Sequence, residues 1–479
     1  MLSNPLIQRY RYSSFRKRQV WIYATIYISV IILLLFINYS IYLIHSAFGG
    51  IDNFFKSLFF QFITFQVLIL WAWGSYNSGS AIKDEVLEKS YDFFRMLPIP
   101  AWEKAVGILV GKNLVVLLMA GINFLFIFVF GILGRISLYL EIQILFVLLS
   151  MAVLANSAGL LSSVCKVPKK KSSNPIVLII LAFFTVPYLL AGIYQLSESE
   201  NLESFHVKFF GIDIPLLILI SLIALYFSFW VFTGVICKFN RERDPLFTMK
   251  GAFLFAIGYE LIAVGLFIPY LLHEAPVVYA FWITTLPPAV IVAFGSLKGM
   301  EHYIEYSRTI QEKRSAKKHS MTRMLAYSNL SVGLGLFAIW SIFATSMVIA
   351  DKGNLPANLH SILTLFSSYL FIILLVELYS IYKSSNPKIG LLVGFIMILY
   401  FSLPLVFGGI MENEFVVLYS PFGYIANLFA EFIEEPIADL SIWVINFLLC
   451  VIPAIIVLNK YRLILTTREK MSSLNGVQA

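Results

Sequence analysis

The sequence is short of charge. Only 13% of its residues are Asp, Glu, Lys or Arg, whereas an average soluble domain carries about 25%. Hydrophobic residues make up 59% of the chain, and the mean hydropathy is +0.84. This composition excludes an ordinary soluble enzyme and indicates an integral membrane protein.

Cysteine and histidine are also scarce. The three cysteines, Cys165, Cys237 and Cys450, are too few for a disulfide framework. The six histidines are scattered, and none stands at a spacing typical of metal ligands. The sequence therefore predicts no metal site and no cofactor, and it offers no Ser/His/Asp arrangement for catalysis.

A nucleotide-binding motif is missing as well. Segment 107–113 reads Gly-Ile-Leu-Val-Gly-Lys-Asn, but a phosphate loop needs four residues between its glycines and a Ser or Thr after the lysine. The chain is therefore predicted not to be an enzyme and to have no ATPase domain of its own. The net charge of +8 is explained by cytoplasmic loops and anionic lipid, so that no nucleic-acid partner is expected.

Twelve apolar segments are each long enough to cross roughly 30 Å of hydrocarbon as a helix. They lie at 20–47, 54–77, 107–133, 142–165, 175–196, 212–237, 251–272, 276–297, 328–350, 359–382, 388–410 and 439–460. The predicted fold class is thus an all-α integral membrane protein with about twelve transmembrane helices.

Basic residues fix the predicted orientation. With the N-terminus inside the cell, nearly all Lys and Arg fall in inside segments, and only Lys56, Arg135, Lys208 and Lys352 lie in outside ones. Because cytoplasmic loops are enriched in Lys and Arg, both termini are predicted to be cytoplasmic in a multi-pass protein of the cell membrane.

A repeated string suggests two related halves. Lys171–Pro175 reads Lys-Ser-Ser-Asn-Pro, and the same five residues recur at Lys383–Pro387. In both places the string joins the fourth and fifth helices of a six-helix set. The sequence therefore predicts two parallel six-helix repeats, 1–240 and 241–479.

The cytoplasmic loop 78–106 carries the most specific local pattern. Segment 83–96 combines apolar side chains with dense charge, which predicts a short amphipathic helix along the membrane face. Pro98 and Pro100 are expected to end this helix. The N-terminal residues 4–19 form a second basic, amphipathic segment ahead of the first membrane helix.

These segments resemble the permeases of type-2 ABC exporters. That family carries an acidic run, a Leu-Pro-Ile stretch, an aromatic and an acidic residue, and a Gly-Lys pair where the next helix starts. The matching residues here are Glu85, Glu88-Lys89, Met96–Pro100, Trp102-Glu103 and Gly111-Lys112. Segment 4–19 is similar to the family's interfacial elbow helix. Loop 298–327 departs from the pattern because it has no Leu-Pro-Ile element.

The resemblance implies the membrane-spanning permease subunit of an ATP-driven exporter whose substrate the sequence does not identify. A separate ABC ATP-binding subunit and membrane lipids would be its partners, with loops 78–106 and 298–327 docking the ATPase. The residues expected to couple to the ATPase are Glu85, Glu88, Phe93, Phe94, Arg95 and Leu97.

Two other interpretations remain open. A proton- or ion-coupled secondary transporter with twelve helices would need charged residues inside the membrane, and two acids, Glu260 and Glu377, lie within predicted helices as possible pathway residues. An integral membrane enzyme acting on lipids would need clustered catalytic side chains at the interface, which the sequence does not offer.

Overall fold

The computed structural model describes residues 4–44, 51–91, 96–166, 206–240, 245–271, 298, 300–312, 320–350, 355–382 and 437–476. Its residues divide into two compact units. Unit 1 comprises Met1–Val207 and Ile212–Asp244, and unit 2 comprises Lys208–Gly211 and Pro245–Ala479. The predicted helices 175–196, 276–297 and 388–410, and both Lys-Ser-Ser-Asn-Pro loops, lie outside the described residues.

Unit 1 is built from helices that begin with a short amphipathic one. In chain order they are α1 (Pro5–Ser14), α2 (Lys17–Ile44), α3 (Ile51–Val67), a π-helical segment (Leu68–Trp73), α4 (Gly74–Leu87), α5 (Ala101–Lys112), α6 (Leu114–Leu133), α7 (Leu138–Lys166) and α8 (Leu216–Asn240). Strands β1 (His206–Phe209) and β2 (Ile212–Pro215) form a two-stranded sheet before α8, and the last two residues of β1 are grouped with unit 2. The sequence did not predict these strands.

Unit 2 contains helices of both membrane-spanning and shorter length. They are α9 (Met249–Leu271), α10 (Met300–Glu312), α11 (Ser320–Tyr327), α12 (Asn329–Ala350), α13 (Leu355–Tyr382) and α14 (Ile437–Gly476). Helix α12 approaches α13 closely at Gly333, where a methyl group would lie 2.5 Å from Ile373 Cδ1. It approaches α9 at Gly335, where a methyl group would lie 2.6 Å from Phe253 Cζ.

The protein is an all-α membrane protein. Within the described ranges, seven helical stretches are long and apolar enough to span a bilayer: Val20–Ser40, Ile51–Leu87, Leu114–Leu133, Leu138–Cys165, Leu216–Asn240, Met249–Ile268 and Phe447–Thr466. Many large apolar side chains on them, such as Ile32, Leu125 and Phe229, are exposed. In water such exposure would be unfavourable, whereas in a bilayer these side chains contact lipid.

The second spanning helix continues much further than predicted. It runs through 37 residues from Ile51 to Leu87, about 55 Å at 1.5 Å per residue, against roughly 30 Å of hydrocarbon. The prediction that this helix ends at 77, with a separate interfacial helix over 83–96, is therefore wrong for residues 78–90. No residue from Gly74 to Leu87 breaks the helix, which ends where Lys89 takes a left-handed φ of 56°.

Two further boundaries differ from prediction. The elbow helix α1 ends at Ser14 instead of continuing to 19, and Phe15 separates it from α2. The predicted helix 107–133 is divided at Asn113 into α5, which already begins at Ala101, and α6.

In unit 2, a bend of 61° separates Met321–Tyr327 from Asn329–Phe343.

Candidate functional site

Glu85 lies near the end of α4, and its side chain is buried. Only 4% of it is exposed. The Tyr10 hydroxyl donates to Oε1 at 2.7 Å, Arg9 Nη2 donates to Oε2 at 3.0 Å, and the Ser90 hydroxyl also donates to Oε2. The sequence placed Glu85 on an exposed docking face, but the structure uses it to join α1 to α4.

The start of α1 is held against α5. Asn4 caps α1 by accepting the Leu6 N–H at 2.9 Å, and its side-chain amide donates to the Glu103 carbonyl at 2.9 Å. An asparagine in this position satisfies backbone groups that a helix end otherwise leaves unpaired. The elbow helix is therefore fixed at its first residue.

Two glycines let α1 approach α5 closely. A methyl group on Gly107 would lie 2.9 Å from Asn4 Oδ1, and one on Gly111 would lie 2.5 Å from Tyr10 Cδ2. Small residues four apart allow such contact between helices. The Gly107–Gly111 spacing, which is not a phosphate loop, therefore serves the packing of the elbow helix.

Charge around Tyr10 is arranged in pairs. Burial, followed by the neighbouring Glu85, raises the pKa of the Tyr10 phenol well above its usual range, so that it stays a hydrogen-bond donor. Lys112 Nζ pairs with Asp84 at 2.8 Å and lies 5.8 Å from the centre of the Tyr10 ring. Arg9 reaches the exposed Glu88 only at 3.7 Å, a surface pair that contributes little to stability.

The remaining predicted docking residues are in different situations. Glu88 is exposed, and Leu97 is half-buried against the cluster that contains Tyr10 and Ile82. Phe93, Phe94 and Arg95 lie outside the described residues. Their placement does not test whether these residues couple to an ATPase, which stays a prediction.

Three exposed apolar side chains stand at the same end of unit 1. They are Leu87 at the end of α4, Met96 (82% exposed) and Trp102 in α5. Met96 and Trp102 belong to the family resemblance, but they were not among the residues expected to couple to an ATPase. Exposed apolar side chains grouped in this way are typical of a surface that contacts a protein partner or lipid.

Asn113 ties the break between α5 and α6 to α4. Its side-chain amide donates to Ser78 Oγ at 2.8 Å and to the Leu109 carbonyl at 3.0 Å. Helix α4 in turn packs on α7 through small residues. A methyl group on Gly159 would lie 2.6 Å from the Ser75 carbonyl oxygen, and the Ile82 N–H donates to Ser163 Oγ at 3.1 Å.

Amide side chains bridge helices within unit 1. Asn123 of α6 donates to Gln66 Oε1 at 2.7 Å and to the Phe62 carbonyl at 3.0 Å. Gln61 donates to Asn38 Oδ1 at 2.9 Å, which joins α3 to α2. Polar links of this kind hold helices together where lipid tails provide no hydrophobic driving force.

Unit 2 contains a second buried carboxylate, Glu377 of α13. It is 0% exposed, and its Oε1 accepts the Tyr303 hydroxyl at 2.6 Å and the Tyr461 hydroxyl as well. The hydroxyl of Tyr303 also accepts the Asn329 N–H at 3.2 Å. The sequence suggested Glu377 as a pathway residue, whereas these contacts join α10, α12, α13 and α14.

Asn329 organises the neighbouring backbone. Its Oδ1 accepts the Lys298 N–H at 2.9 Å, and its amide nitrogen donates to Ser380 Oγ at 3.1 Å. Lys298 Nζ donates to the Tyr327 carbonyl and lies 3.7 Å from the centre of that ring. Burial lowers the pKa of Lys298, although Glu377 opposes this shift.

Among the described residues, three acids have carboxyl oxygens with no hydrogen-bond partner, and Glu377, through its Oε2, is one of them. Glu260 of α9 is buried, and its Oε2 is unpartnered; the sequence placed this residue inside a helix. Glu141 of α7 is also buried, and both of its oxygens are unpartnered. Sequence reasoning missed Glu141 because it began the helix at 142, whereas α7 begins at Leu138.

In the part of the chain that the structure describes, no three His, Cys, Asp or Glu side chains are grouped so that they could hold a metal ion. Comparison with known proteins found no matching family model, no matching curated protein and no matching solved structure. The geometry of the two units therefore carries the functional argument alone.

Proposed function

We propose that the chain is the membrane-spanning permease subunit of an ATP-driven ABC exporter. The observation that carries the proposal is the arrangement at one end of unit 1. An elbow helix is fastened by Glu85 to the long extension of a membrane helix, and Leu87, Met96 and Trp102 expose apolar side chains beside it. Motion of a partner bound there would pass directly into a spanning helix.

The proposal includes twelve helices in two parallel six-helix repeats, with both termini in the cytoplasm of a cell-membrane protein. A Gly-Ser pair followed by an asparagine supports the repeat. The interval from Gly79-Ser80 to Asn113 is the same as the interval from Gly295-Ser296 to Asn329. Asn113 and Asn329 each stand where a short helix gives way to a long apolar one. Charge asymmetry between loops supports the orientation.

The partner in this proposal is a separate ABC ATP-binding subunit, and the exported substrate is not specified. Met96 offers a sharp test because it is largely exposed, so that a charge there does not disturb the fold. Met96→Asp should lose co-purification with a co-expressed ABC ATP-binding subunit, whereas Met96→Leu should keep it. If the aspartate variant still co-purifies with the subunit, Met96 is not part of a docking surface for it.

A proton-coupled secondary transporter is the second candidate. The unpartnered carboxyl oxygens of Glu141 and Glu260 favour it, since acids inside a membrane often mark proton pathways. Transport into proteoliposomes separates the candidates. An exporter requires ATP and the second subunit, whereas a carrier responds to a pH gradient without either.

A further inference from the structure

Glu141 lies in the first turn of α7, at the end of that helix remote from the elbow helix α1. Its side chain is only 1% exposed, and within the described ranges neither carboxyl oxygen has a hydrogen-bond partner. Nine-tenths or more of buried polar groups in proteins do have one. This carboxyl group therefore calls for an explanation.

The carboxyl group occupies space left by a glycine. A methyl group on Gly131 of α6 would lie 2.5 Å from the Glu141 carboxyl carbon and 3.1 Å from Phe59 Cε2. Only glycine at this position leaves room for the acid between α6 and α3. The carboxyl group of Glu141 is therefore packed closely between α6 and α3.

The side chains around Gly131 are aromatic. Phe59 lies in the core of unit 1, and Phe130 beside Gly131 packs on Phe62 with 5.1 Å between ring centres and on Phe55 with 6.3 Å. Phenylalanine side chains have no N–H or O–H group that could donate a hydrogen bond to a carboxylate. An ionised acid would have no compensation from them.

Charged groups on the neighbouring elements do not provide it either. Asp52 of α3 pairs with Arg135 of the α6–α7 turn at 3.3 Å, and Lys56 of α3 and Tyr139 of α7 are exposed. Helix α6 and the π-helical segment carry no charged residue, and α8 carries none before Lys238. The charged residues of α4 and α5 lie near the elbow helix α1, at the other end of α7. The form of Glu141 that fits is therefore the uncharged acid.

We propose that Glu141 is a proton-binding site, occupied by H⁺ when α7 is closed against α3 and α6, and emptied when this contact opens and the acid ionises. A metal cation is not the ligand, because hard cations take several oxygen ligands and the contacts seen here are a glycine and a phenylalanine. The site does not depend on the proposed function, since it rests on unit 1 alone.

The first test compares thermal unfolding of the full chain in nanodiscs with that of Glu141→Gln between pH 5.5 and pH 8.5. A neutral amide mimics the protonated acid. If folding holds the proton, unfolding releases it and becomes easier as the pH rises. The stability of the variant relative to the unmodified chain should therefore increase steadily from pH 5.5 to pH 8.5. A relative stability that is independent of pH, or that falls as the pH rises, would overturn the proposal.

The second test locates the proton with dicyclohexylcarbodiimide, an apolar reagent that needs a protonated acid. The acid gives its proton to a carbodiimide nitrogen, and its oxygen attacks the central carbon. Rearrangement leaves an N-acylurea that retains the whole reagent. Peptide mass spectrometry should find the adduct at Glu141 at pH 6 and much less at pH 9, with none at this peptide in Glu141→Gln and none at the exposed Glu305.

Two outcomes of the labelling would contradict the site. An unmodified Glu141 at pH 6, in a sample whose Glu260 is modified, would show that the buried acid is not protonated. Protection of Glu141 by Na⁺ at constant pH would assign the site to a metal cation instead of a proton.

Discussion

The Tyr10 hydroxyl donates a hydrogen bond of 2.7 Å to Oε1 of Glu85, which lies 75 residues further along the chain. Both groups are buried, and Arg9 completes the contact on the other carboxyl oxygen. The elbow helix is thereby attached to the same long helix that spans the membrane. This contact gives the clearest targets for mutation.

Glu85→Ala should destabilise the protein by about 1–3 kcal/mol, because it leaves the buried Tyr10 hydroxyl without its acceptor and removes the partner of Arg9. Glu88→Ala is the matched control on the next turn. Its carboxylate is exposed and reaches Arg9 only at 3.7 Å, so the change should stay within about 0.5 kcal/mol. Denaturant unfolding in detergent measures both, and equal effects would contradict the assigned role of Glu85.

Gly111→Ala should loosen the elbow helix. Its new methyl group would lie 2.5 Å from Tyr10 Cδ2, whereas a methyl group on Gly121 of α6 would meet nothing within 4 Å. Gly121→Ala should therefore be neutral or slightly stabilising, by up to about 1 kcal/mol. Trypsin cleavage at Arg11 reports release of α1, and the idea fails if the two variants are cleaved at the same rate.

Asn329→Ala should weaken unit 2. The change leaves the Lys298 N–H without its acceptor and removes the donor to Ser380, which should cost about 1–3 kcal/mol. Ser331→Ala lies two residues away, and Ser331 Oγ donates only to the carbonyls of Ala326 and Ser328. It should change stability by less than about 0.5 kcal/mol. A stability loss in Ser331→Ala as large as that in Asn329→Ala would argue against a special role for Asn329.

Reporter fusions test the orientation. A reporter joined after Ala479 should lie in the cytoplasm, and one joined after Ser197 should lie outside, because the charge asymmetry places these positions on opposite sides. Finding both reporters on one side would rule out the twelve-helix arrangement.

Composition and apolar length were enough to predict the membrane class and the approximate positions of the long apolar helices that the structure describes, but not α10 and α11, which lie in the predicted loop 298–327. Side-chain burial was not predictable from the same signals. Glu85 belongs to a charged run that is typical of a solvent-exposed segment. It is buried because α1 packs against α4 and contacts its carboxyl group through Arg9 and Tyr10. Local patterns carry no information about a partner 75 residues away.

The misplaced helix ends have a related cause. Hydropathy marks where a chain leaves lipid, but a helix continues until a residue breaks its hydrogen bonding. Helix α4 thus extends to Leu87, beyond the predicted apolar stretch that ends at 77. Helix α7 begins at Leu138, before the predicted apolar stretch that starts at 142. The second difference hid Glu141, which a search for acids within four residues of each predicted helix end would have found.

ATP turnover by the purified chain, measured in nanodiscs with and without an ABC ATP-binding subunit encoded beside it, tests the proposed function most directly. The proposal predicts no turnover by the chain alone and turnover by the complex that Met96→Asp lowers and Met96→Leu preserves. ATP hydrolysis by the chain alone, or failure of any such subunit to bind it, would contradict an ABC permease.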